Sequence, residues 1–166
     1  ADFSVIIYNF LDILSHARTE TDIIRELTED EASFRSLTRS WFEHSDLFII
    51  LKLLSERGHT VIITSDHGTI RVDNPVKVTG DRDTSPNLRY KTGRNLQYNA
   101  REVYEVTRPE DIQLPRTNLS SSYIFAYNSD FLVYNNDANK FIRYYRNTFQ
   151  HGGISMEEMI VPYIVL

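Results

Sequence analysis

The feature that most constrains the fold is an apolar helix pattern followed at once by an apolar strand pattern. Residues 46–57, DLFIILKLLSER, are typical of a helix, with Ser45 or Asp46 as its N-cap and Gly58 as the residue that ends it. Residues 60–68, TVIITSDHG, are rich in β-branched side chains and end in a polar turn. This composition predicts a buried strand directly after the helix.

A second apolar run near the start of the chain extends this pattern. Residues 4–9, SVIIYN, also predict a strand. Strand, helix and strand with short links form a right-handed crossover, so we expect the strands at 4–9 and 60–68 to be parallel. At 166 residues the chain is long enough for one domain. The predicted fold class is α/β, with a mixed, mainly parallel sheet flanked by helices.

The rest of the chain gives less specific patterns. Residues 72–100 are polar and contain prolines and glycines, and we interpret them as a long loop outside the core. A loop of that length in a compact domain is usually functional. The remaining predictions are a helix or tight turn over 10–17, a helix from Thr21-Asp22 to about Leu27, a helical segment over 29–57, a hairpin of strands 123–127 and 131–135, a helix over 138–149, and a last strand within 159–166.

The amino-acid composition limits the kinds of site that are possible. The sequence has no cysteine, so disulfides and thiolate metal sites are excluded and any metal must be held by histidine and carboxylate. The lack of cysteine fits a reducing compartment, and no apolar run approaches the ~20 residues of a membrane helix. We therefore expect a cytoplasmic protein. A strand pattern lies close to each end, so we also expect the chain to be part of a larger domain.

The charges are segregated along the chain. The net charge is −5, yet residues 71–101 carry seven Lys and Arg against three Asp. A basic segment on an acidic protein favours an anionic ligand over the general coating of nucleic acid. The alternative is an ordinary solvated surface, and the sequence does not decide between the two.

The first candidate metal ligands are Asp12 and His16. A separation of four residues puts both side chains on one face of a helix, within reach of a single cation. They follow the predicted strand 4–9, so they would lie at the carboxyl edge of the sheet, where open α/β folds bind ligands. The alternative is a surface Asp-His pair without function.

Two further histidines stand beside glycines at predicted strand ends. Asp66 and His67 precede Gly68, whose freedom of backbone conformation allows both side chains to turn into one site. His151 is followed by two glycines, which remove side-chain bulk where a ligand must approach. Each motif alone could be an ordinary turn or loop. Three strand edges that each offer a histidine, two of them with an aspartate, favour a metal site.

The same segments resemble a known family. The motifs are TSDHG at 64–68, N-x-x-D-x-x-x-H at 9–16, HGG-x-S-x-E-E-M-I-V-P at 151–162, and GDR…S-x-NLRYK-x-GRN-L at 80–96. Together they resemble the PglZ domain, a branch of the alkaline phosphatase superfamily, over the whole chain. The likeness is closest to the effector domain of a response regulator of type IX secretion. It implies an alkaline phosphatase-like fold with a polar lid or insert over about 72–118.

The resemblance implies two zinc ions, with manganese also compatible. Asp12, His16 and His151 would hold the first ion, and Asp66 and His67 would hold the second. The Ser or Thr nucleophile and a further Asp of that family lie upstream of anything in this sequence, so no catalytic residue is expected in this chain. Glu157 and Glu158 could support His151, or could be solvated.

The basic segment and the resemblance together suggest a substrate. Its cationic side chains could pair with phosphate oxygens of a phosphate ester or (oligo)nucleotide, and the candidates are Arg82, Arg89, Lys91 and Arg94. The resemblance implies a phosphodiesterase or phosphatase that acts on nucleotide-type esters as the output module of a two-component response regulator of protein secretion. Regulatory protein partners or a homodimer are expected, without membrane insertion.

Two alternatives to an enzyme remain open at this stage. The first is a metal-stabilised module that binds a nucleotide or docks a partner without turnover, in which the basic segment matters more than catalysis. The second is an assembly domain in which zinc only stabilises the fold. Steep salt dependence of binding would favour an electrostatic partner site over a structural zinc site.

Overall fold

The computed structural model describes residues 3–28, 30–81, 84–116 and 121–166, and the fold is mixed α/β as predicted. The chain divides into two compact units, Ala1–Ile63 with Tyr163–Leu166, and Thr64–Pro162. The helices of the described residues are α1 (Phe10–Glu20), α2 (Asp22–Leu27), α3 (Glu31–Glu43), α4 (Asp46–Glu56), α5 (Ala138–Tyr145) and α6 (Met156–Met159), with a 3₁₀ turn at Pro109–Ile112. The strands are β1 (Ile62–Thr64), β2 (Ile70–Val72), β3 (Asn74–Val78), β4 (Tyr90–Gly93), β5 (Val103–Val106), β6 (Ser122–Ala126), β7 (Asp130–Tyr134), β8 (Thr148–Gln150) and β9 (Tyr163–Val165).

Helix α4 confirms the strongest prediction from the sequence. Ser45 is its N-cap, and the Ser45 hydroxyl accepts a hydrogen bond from the backbone N–H of Phe48 at 3.2 Å. The helix ends before Gly58, which has a φ of +73° and so takes the left-handed conformation that glycine adopts without strain. Helices α1, α2 and α3 also lie where helical patterns were predicted.

The predicted strand at 4–9 is wrong. Residues 3–9 form no strand, and their apolar side chains are exposed, with Ile7 at 82%. A strand requires a hydrogen-bonded neighbour, and β1 pairs with β9 instead. Val61 and Leu166, at the ends of these strands, exchange both backbone hydrogen bonds at 2.9 and 3.1 Å. The expected parallel crossover between 4–9 and 60–68 is therefore also wrong.

The interpretation of residues 72–100 as a loop outside the core is wrong as well. This segment, within the predicted insert 72–118, contributes β3 and β4 to the second unit, and β5 follows it. Val76 and Val78 of β3 are buried in a cluster with Val103 of β5. The strand signal of β4 is hidden because the buried residues here are charged, Lys91 within the strand and Arg89 immediately before it.

Strands β6 and β7 are adjacent in sequence but do not form the predicted hairpin. β6 lies between β4 and β5 in an antiparallel sheet, whereas β7 pairs with β3 in parallel. Side-chain hydrogen bonds fix the start of the β3/β7 pair: Asn74 donates to Asp130 and Ser129 donates to Asp73, each at 2.7 Å. Among the strand pairs whose registers the described residues define, β3/β7 is parallel, and β2/β8, β4/β6 and β5/β6 are antiparallel. The pairing is therefore less parallel than predicted.

Strand β7 separates two apolar clusters of the second unit. Leu132 packs in the cluster with Val76 and Val78, while Phe131 and Val133 point the other way, toward Ile70 and Val72. Burial on both faces is typical of a parallel strand and explains the continuous apolar pattern FLV. The core of this unit is thus built around β7.

Two elements near the C-terminus differ from their predictions. Helix α5 ends at Tyr145, earlier than the predicted 149, because Asn147 adopts a φ of +65° and the chain then enters β8. The final strand is limited to β9, with α6 preceding it. Across the part of the chain that the structure describes, no helix combines the length and apolar character needed to span a bilayer.

Candidate metal centre

The antiparallel pair β2/β8 brings two of the predicted ligands together in the second unit. Ile70 of β2 lies opposite Gln150 of β8. His67 lies just before β2 and His151 lies immediately after β8, so this register carries both histidines to the same end of the ribbon. Their rings stack with centroids 4.0 Å apart and an interplanar angle of 11°. Each ring offers a nitrogen within 4.8 Å of one on the other ring.

The surroundings of His67 determine which of its nitrogens can bind a metal. Nδ1 lies 2.9 Å from the carbonyl oxygen of Gly68. A carbonyl only accepts hydrogen bonds, so in the neutral ring Nδ1 carries the proton and Nε2 keeps its lone pair. Nε2 lies 3.7 Å from Oδ1 of Asp66, which is 92% exposed. Asp66 and His67 are therefore neighbours as predicted, and the Asp66 carboxylate lies near Nε2, the ring nitrogen that keeps its lone pair.

Gly68 holds the Asp66-His67 turn against α6. Its backbone N–H donates to the carbonyl oxygen of Glu158 at 2.8 Å. A Cβ at this position would lie 2.0 Å from the carbonyl oxygen of Glu157, which is backbone and cannot move aside cheaply. Only glycine permits this approach, so Gly68 of the DHG motif is required for close packing against α6.

The two glycines after His151 are also closely packed. The backbone N–H of Gly153 donates to Oε1 of Glu158 at 2.9 Å, and a Cβ there would lie 2.6 Å from Oε2 of the same carboxylate. Gly152 has a φ of +97°, and a Cβ would lie 2.8 Å from the Asn87 side-chain amide. The HGG turn is thus shaped around Glu158 and Asn87.

Glu158 forms a buried ion pair with Arg89. The guanidinium donates to both carboxylate oxygens at 2.9 Å, through Nε and Nη2, and Nη1 donates to the carbonyl of Asp130. Burial would raise the pKa of the Glu158 carboxyl, but the hydrogen bonds and charge of Arg89, with the Gly153 N–H, hold that pKa below its ordinary value. Glu158 was predicted either to support His151 or to be solvated, and these contacts favour support of the turn that follows His151.

The basic residues predicted to bind substrate have different environments. Arg89 is 0% exposed and its guanidinium is engaged by Glu158 and Asp130, so it is not available to a substrate. Lys91 is 1% exposed, with Nζ 4.4 Å above the ring of Tyr134, and burial lowers the pKa of Lys91 to about 8. Arg94 is exposed, and Arg82 lies outside the described residues. Because Arg89 and Lys91 are buried, the four predicted cations do not form one exposed surface.

The remaining predicted ligands, Asp12 and His16, belong to the first unit. They lie one turn apart on α1, with Nε2 of His16 3.5 Å from Oδ1 of Asp12. Both side chains are largely exposed. The predicted spacing on one helix face is confirmed, and the pair presents one carboxylate and one imidazole at the helix surface.

Comparison with known families adds a decisive observation. The family model described as the BREX system PglZ alkaline phosphatase-like domain matches residues 1–166, the whole chain. The chain belongs to the PglZ family. This membership points to a phosphoesterase-type hydrolase with phosphate-ester substrates, and alkaline phosphatase-like families generally bind metal ions. No match is found among the curated proteins.

The donor set of this PglZ domain fits a metal ion. Within the second unit, His67 and His151 provide two imidazoles with nearby nitrogens, and the Asp66 carboxylate lies next to His67. Imidazole and carboxylate are ligands for zinc and for manganese. His67 Nε2 is left free to bind by the hydrogen bond that Nδ1 makes, which is the arrangement expected of a metal-binding histidine.

The way in which the PglZ domain holds these ligands was not predicted from the sequence. Arg89 was assigned to the substrate because it lies in a basic segment, although its alternation with Lys91 is typical of two residues on one face of a strand. Asn87 lies in the NLRYK motif but was given no role, and its side chain accepts a hydrogen bond from the Arg89 N–H at 2.7 Å. Buried polar contacts between distant segments leave no local pattern in a sequence.

Proposed function

We propose that this PglZ domain is a zinc-dependent phosphohydrolase domain that acts as a phosphodiesterase on nucleotide-type phosphate esters. Its proposed metal ligands are Asp12, His16, Asp66, His67 and His151. The observation that carries the proposal is the stacked pair of His67 and His151, held on adjoining strand ends beside the Asp66 carboxylate.

Two neighbouring ions are proposed, one held with His67 and one with His151, because the two rings lie side by side and two-metal phosphohydrolases hold their cations about 3.5–4 Å apart. When bound, such cations would neutralise charge on the phosphoryl oxygens and on the attacking and leaving groups.

The residues of this chain contribute binding and orientation. His67 holds Nε2 toward the site because Nδ1 donates to the Gly68 carbonyl, and Asp66 supplies an adjacent carboxylate. The nucleophile, a Ser or Thr, is proposed to lie in an upstream part of the full-length protein. Following the resemblance to the effector domain of a response regulator of type IX secretion, the domain would be the cytoplasmic output module of a two-component response regulator of secretion, with regulatory partners or a homodimer.

Metal analysis of the full-length protein tests this proposal. Protein purified without chelator should contain stoichiometric zinc, and His67→Ala and His151→Ala should each lose metal and hydrolysis of bis(p-nitrophenyl) phosphate. His59→Ala is the matched control, because His59 is an exposed histidine just after the turn that follows α4. Equal metal content in all three variants, or a protein without metal, would refute the proposal. Comparison with p-nitrophenyl phosphate separates diesterase from monoesterase activity.

The alternative of a nucleotide-binding module without turnover is less well supported. Its basis was a basic segment that presents several cations, but Arg89 and Lys91 are buried. A docking surface would have to rely on the exposed Arg94 and on other residues. Nucleotide binding that persists in His67→Ala and His151→Ala, in a protein with no hydrolytic activity, would favour this alternative.

A further inference from the structure

One residue, Glu158, hydrogen-bonds both of the turns that carry His67 and His151. Its backbone carbonyl accepts from the Gly68 N–H at 2.8 Å, next to His67. Its carboxylate accepts from the N–H of Gly153 at 2.9 Å and from that of Ser155 at 3.2 Å, in the turn after His151. The position of Glu158 therefore fixes the relative position of the two histidines.

Arg89 in turn fixes the Glu158 carboxylate. The guanidinium binds both oxygens at 2.9 Å, a two-pronged contact that sets the orientation of the carboxylate plane as well as its position. Arg89 is itself held by the Asp130 carbonyl and, through its backbone N–H, by Asn87. Both partners of the ion pair are buried, at 0% and 1% side-chain exposure.

Stability alone does not explain this ion pair. Removing two charges from water costs several kcal/mol per ion, and replacing a buried pair by apolar residues of similar volume is often neutral or stabilising. A buried pair gives instead a fixed geometry, because its hydrogen bonds have defined directions. The carboxylate of Glu158 uses that geometry to bind two backbone N–H groups of the His151 turn.

We propose that the Glu158 carboxylate, oriented by the buried guanidinium of Arg89, is a positioning group that sets His151 against His67 for metal binding. The inference rests on the proposed function only where it assigns metal binding to the two histidines; the positioning of the rings stands without it. Arg89 and Glu158 contact neither substrate nor metal in this role. They act through the backbone of the glycine turns that flank the ligands.

Two double variants of the full-length protein separate positioning from stability. Arg89→Met with Glu158→Gln removes both charges and keeps a side-chain oxygen that can accept from the Gly153 N–H. Arg89→Met with Glu158→Leu removes both charges and the acceptor. The matched control is Arg39→Met with Glu43→Gln, an exposed pair on α3 with a contact of 2.8 Å. Thermal unfolding is recorded for each variant, so that loss of fold is recognised.

The contact between the two histidine rings is measured in metal-free protein, and zinc affinity is measured separately. With histidine rings labelled selectively, the nuclear Overhauser contact between His67 and His151 should be present in wild type, in the control and in the Gln double variant, and lost in the Leu double variant. Zinc affinity, measured by competition with a chelator, should fall by about 10–100-fold in the Leu double variant and only a few-fold in the Gln double variant.

Equal ring contact and equal zinc affinity in the two double variants would overturn the proposal and leave the ion pair a purely structural one. If wild type binds no zinc, the proposed function fails, while the ring contact still decides the positioning role. If the Leu double variant does not fold, Arg89→Met with Glu158→Met replaces it, since methionine is unbranched like glutamate and likewise has no oxygen to accept from the Gly153 N–H. An unchanged His67–His151 ring contact in that variant would then count against the proposal.

Discussion

The two histidine-bearing regions of the molecule are held in different ways. Asp12 and His16 lie on one exposed helix face, and the periodicity of α1 alone gives their separation of 3.5 Å. His67 and His151 come from distant segments and depend on the β2/β8 register and on contacts made by Glu158. A local pair therefore tolerates changes elsewhere in the chain, whereas the non-local pair requires a buried polar network.

The largest expected effect comes from breaking that network on one side. Glu158→Ala leaves the Arg89 guanidinium buried without its carboxylate partner, which we expect to destabilise the protein by about 3–5 kcal/mol. Urea unfolding measures this loss. Glu43→Ala is the control: its carboxylate also contacts an arginine, at 2.8 Å, but on the exposed face of α3, and its unfolding midpoint should stay close to that of wild type. Equal losses would contradict the contrast.

The same carboxylate predicts the acid limit of stability. The pKa of Glu158 in the folded state lies below its ordinary value of 4.5. The unfolded chain thus binds the proton more readily, so the contribution of Glu158 is present above that value and is lost as the pH falls through the folded pKa. The stability advantage of wild type over Glu158→Gln, which has no carboxyl proton to bind at this position, should therefore shrink as the pH falls below 4.5, and urea unfolding at several pH values measures it. An advantage that stays constant or grows as the pH falls would contradict this assignment.

The second comparison is between the stability losses of Gly→Ala variants at Gly68 in the second unit and at Gly58 in the first. Gly68→Ala would place a methyl group 2.0 Å from the Glu157 carbonyl oxygen, and we expect a loss of about 3 kcal/mol or more from this backbone clash. Gly58→Ala meets no atom within 4 Å, so only the left-handed backbone opposes it, at about 1 kcal/mol. Chemical unfolding of both variants tests this difference. A larger loss in Gly58→Ala would mean that backbone conformation matters more than packing at Gly68.

These contrasts explain how much the sequence could predict. The caps of α4, the i, i+4 pair on α1 and the family motifs are local, and they were predicted correctly because helix periodicity and turn chemistry act over a few residues. The strand at 4–9 was predicted from composition alone, although a strand also needs a neighbour. Lys91 in β4 and Arg89 just before it concealed this strand, since buried charges look like surface residues until their partners are known.

Lys91 offers a third test, in the core of the second unit. Its pKa is lowered from 10.5 to about 8 by burial, so the unfolded chain binds more protons between these values and stability rises with pH across that range. The corresponding gain is up to about 3 kcal/mol. Lys91→Met should be more stable than wild type below pH 8 and should lack this rise.

The comparison with Lys91→Met is best made below the range in which tyrosines titrate. Burial raises the pKa of Tyr98, so its contribution to stability falls with pH above its ordinary value of 10. Urea unfolding of both proteins at pH 7, 8, 9 and 10 isolates the lysine. Parallel stability profiles of wild type and Lys91→Met would show that the ammonium of Lys91 is solvated in the folded protein.

The smallest effect is expected in the first unit, where the contacts are local. Ser45→Ala removes the hydroxyl that accepts from the Phe48 N–H at 3.2 Å and should cost about 1 kcal/mol. Ser55→Ala, near the other end of α4, is the matched control, because Ser55 is exposed and alanine is the better helix former. Urea unfolding gives both values.

Neither change touches Glu158 or the glycine turns at Gly68 and Gly152-Gly153, so the ring contact between His67 and His151 in metal-free protein should persist in both variants. Loss of that contact in Ser45→Ala would mean that the capping of α4 contributes to the histidine pair, and that the separation between local and non-local control drawn above is too strict.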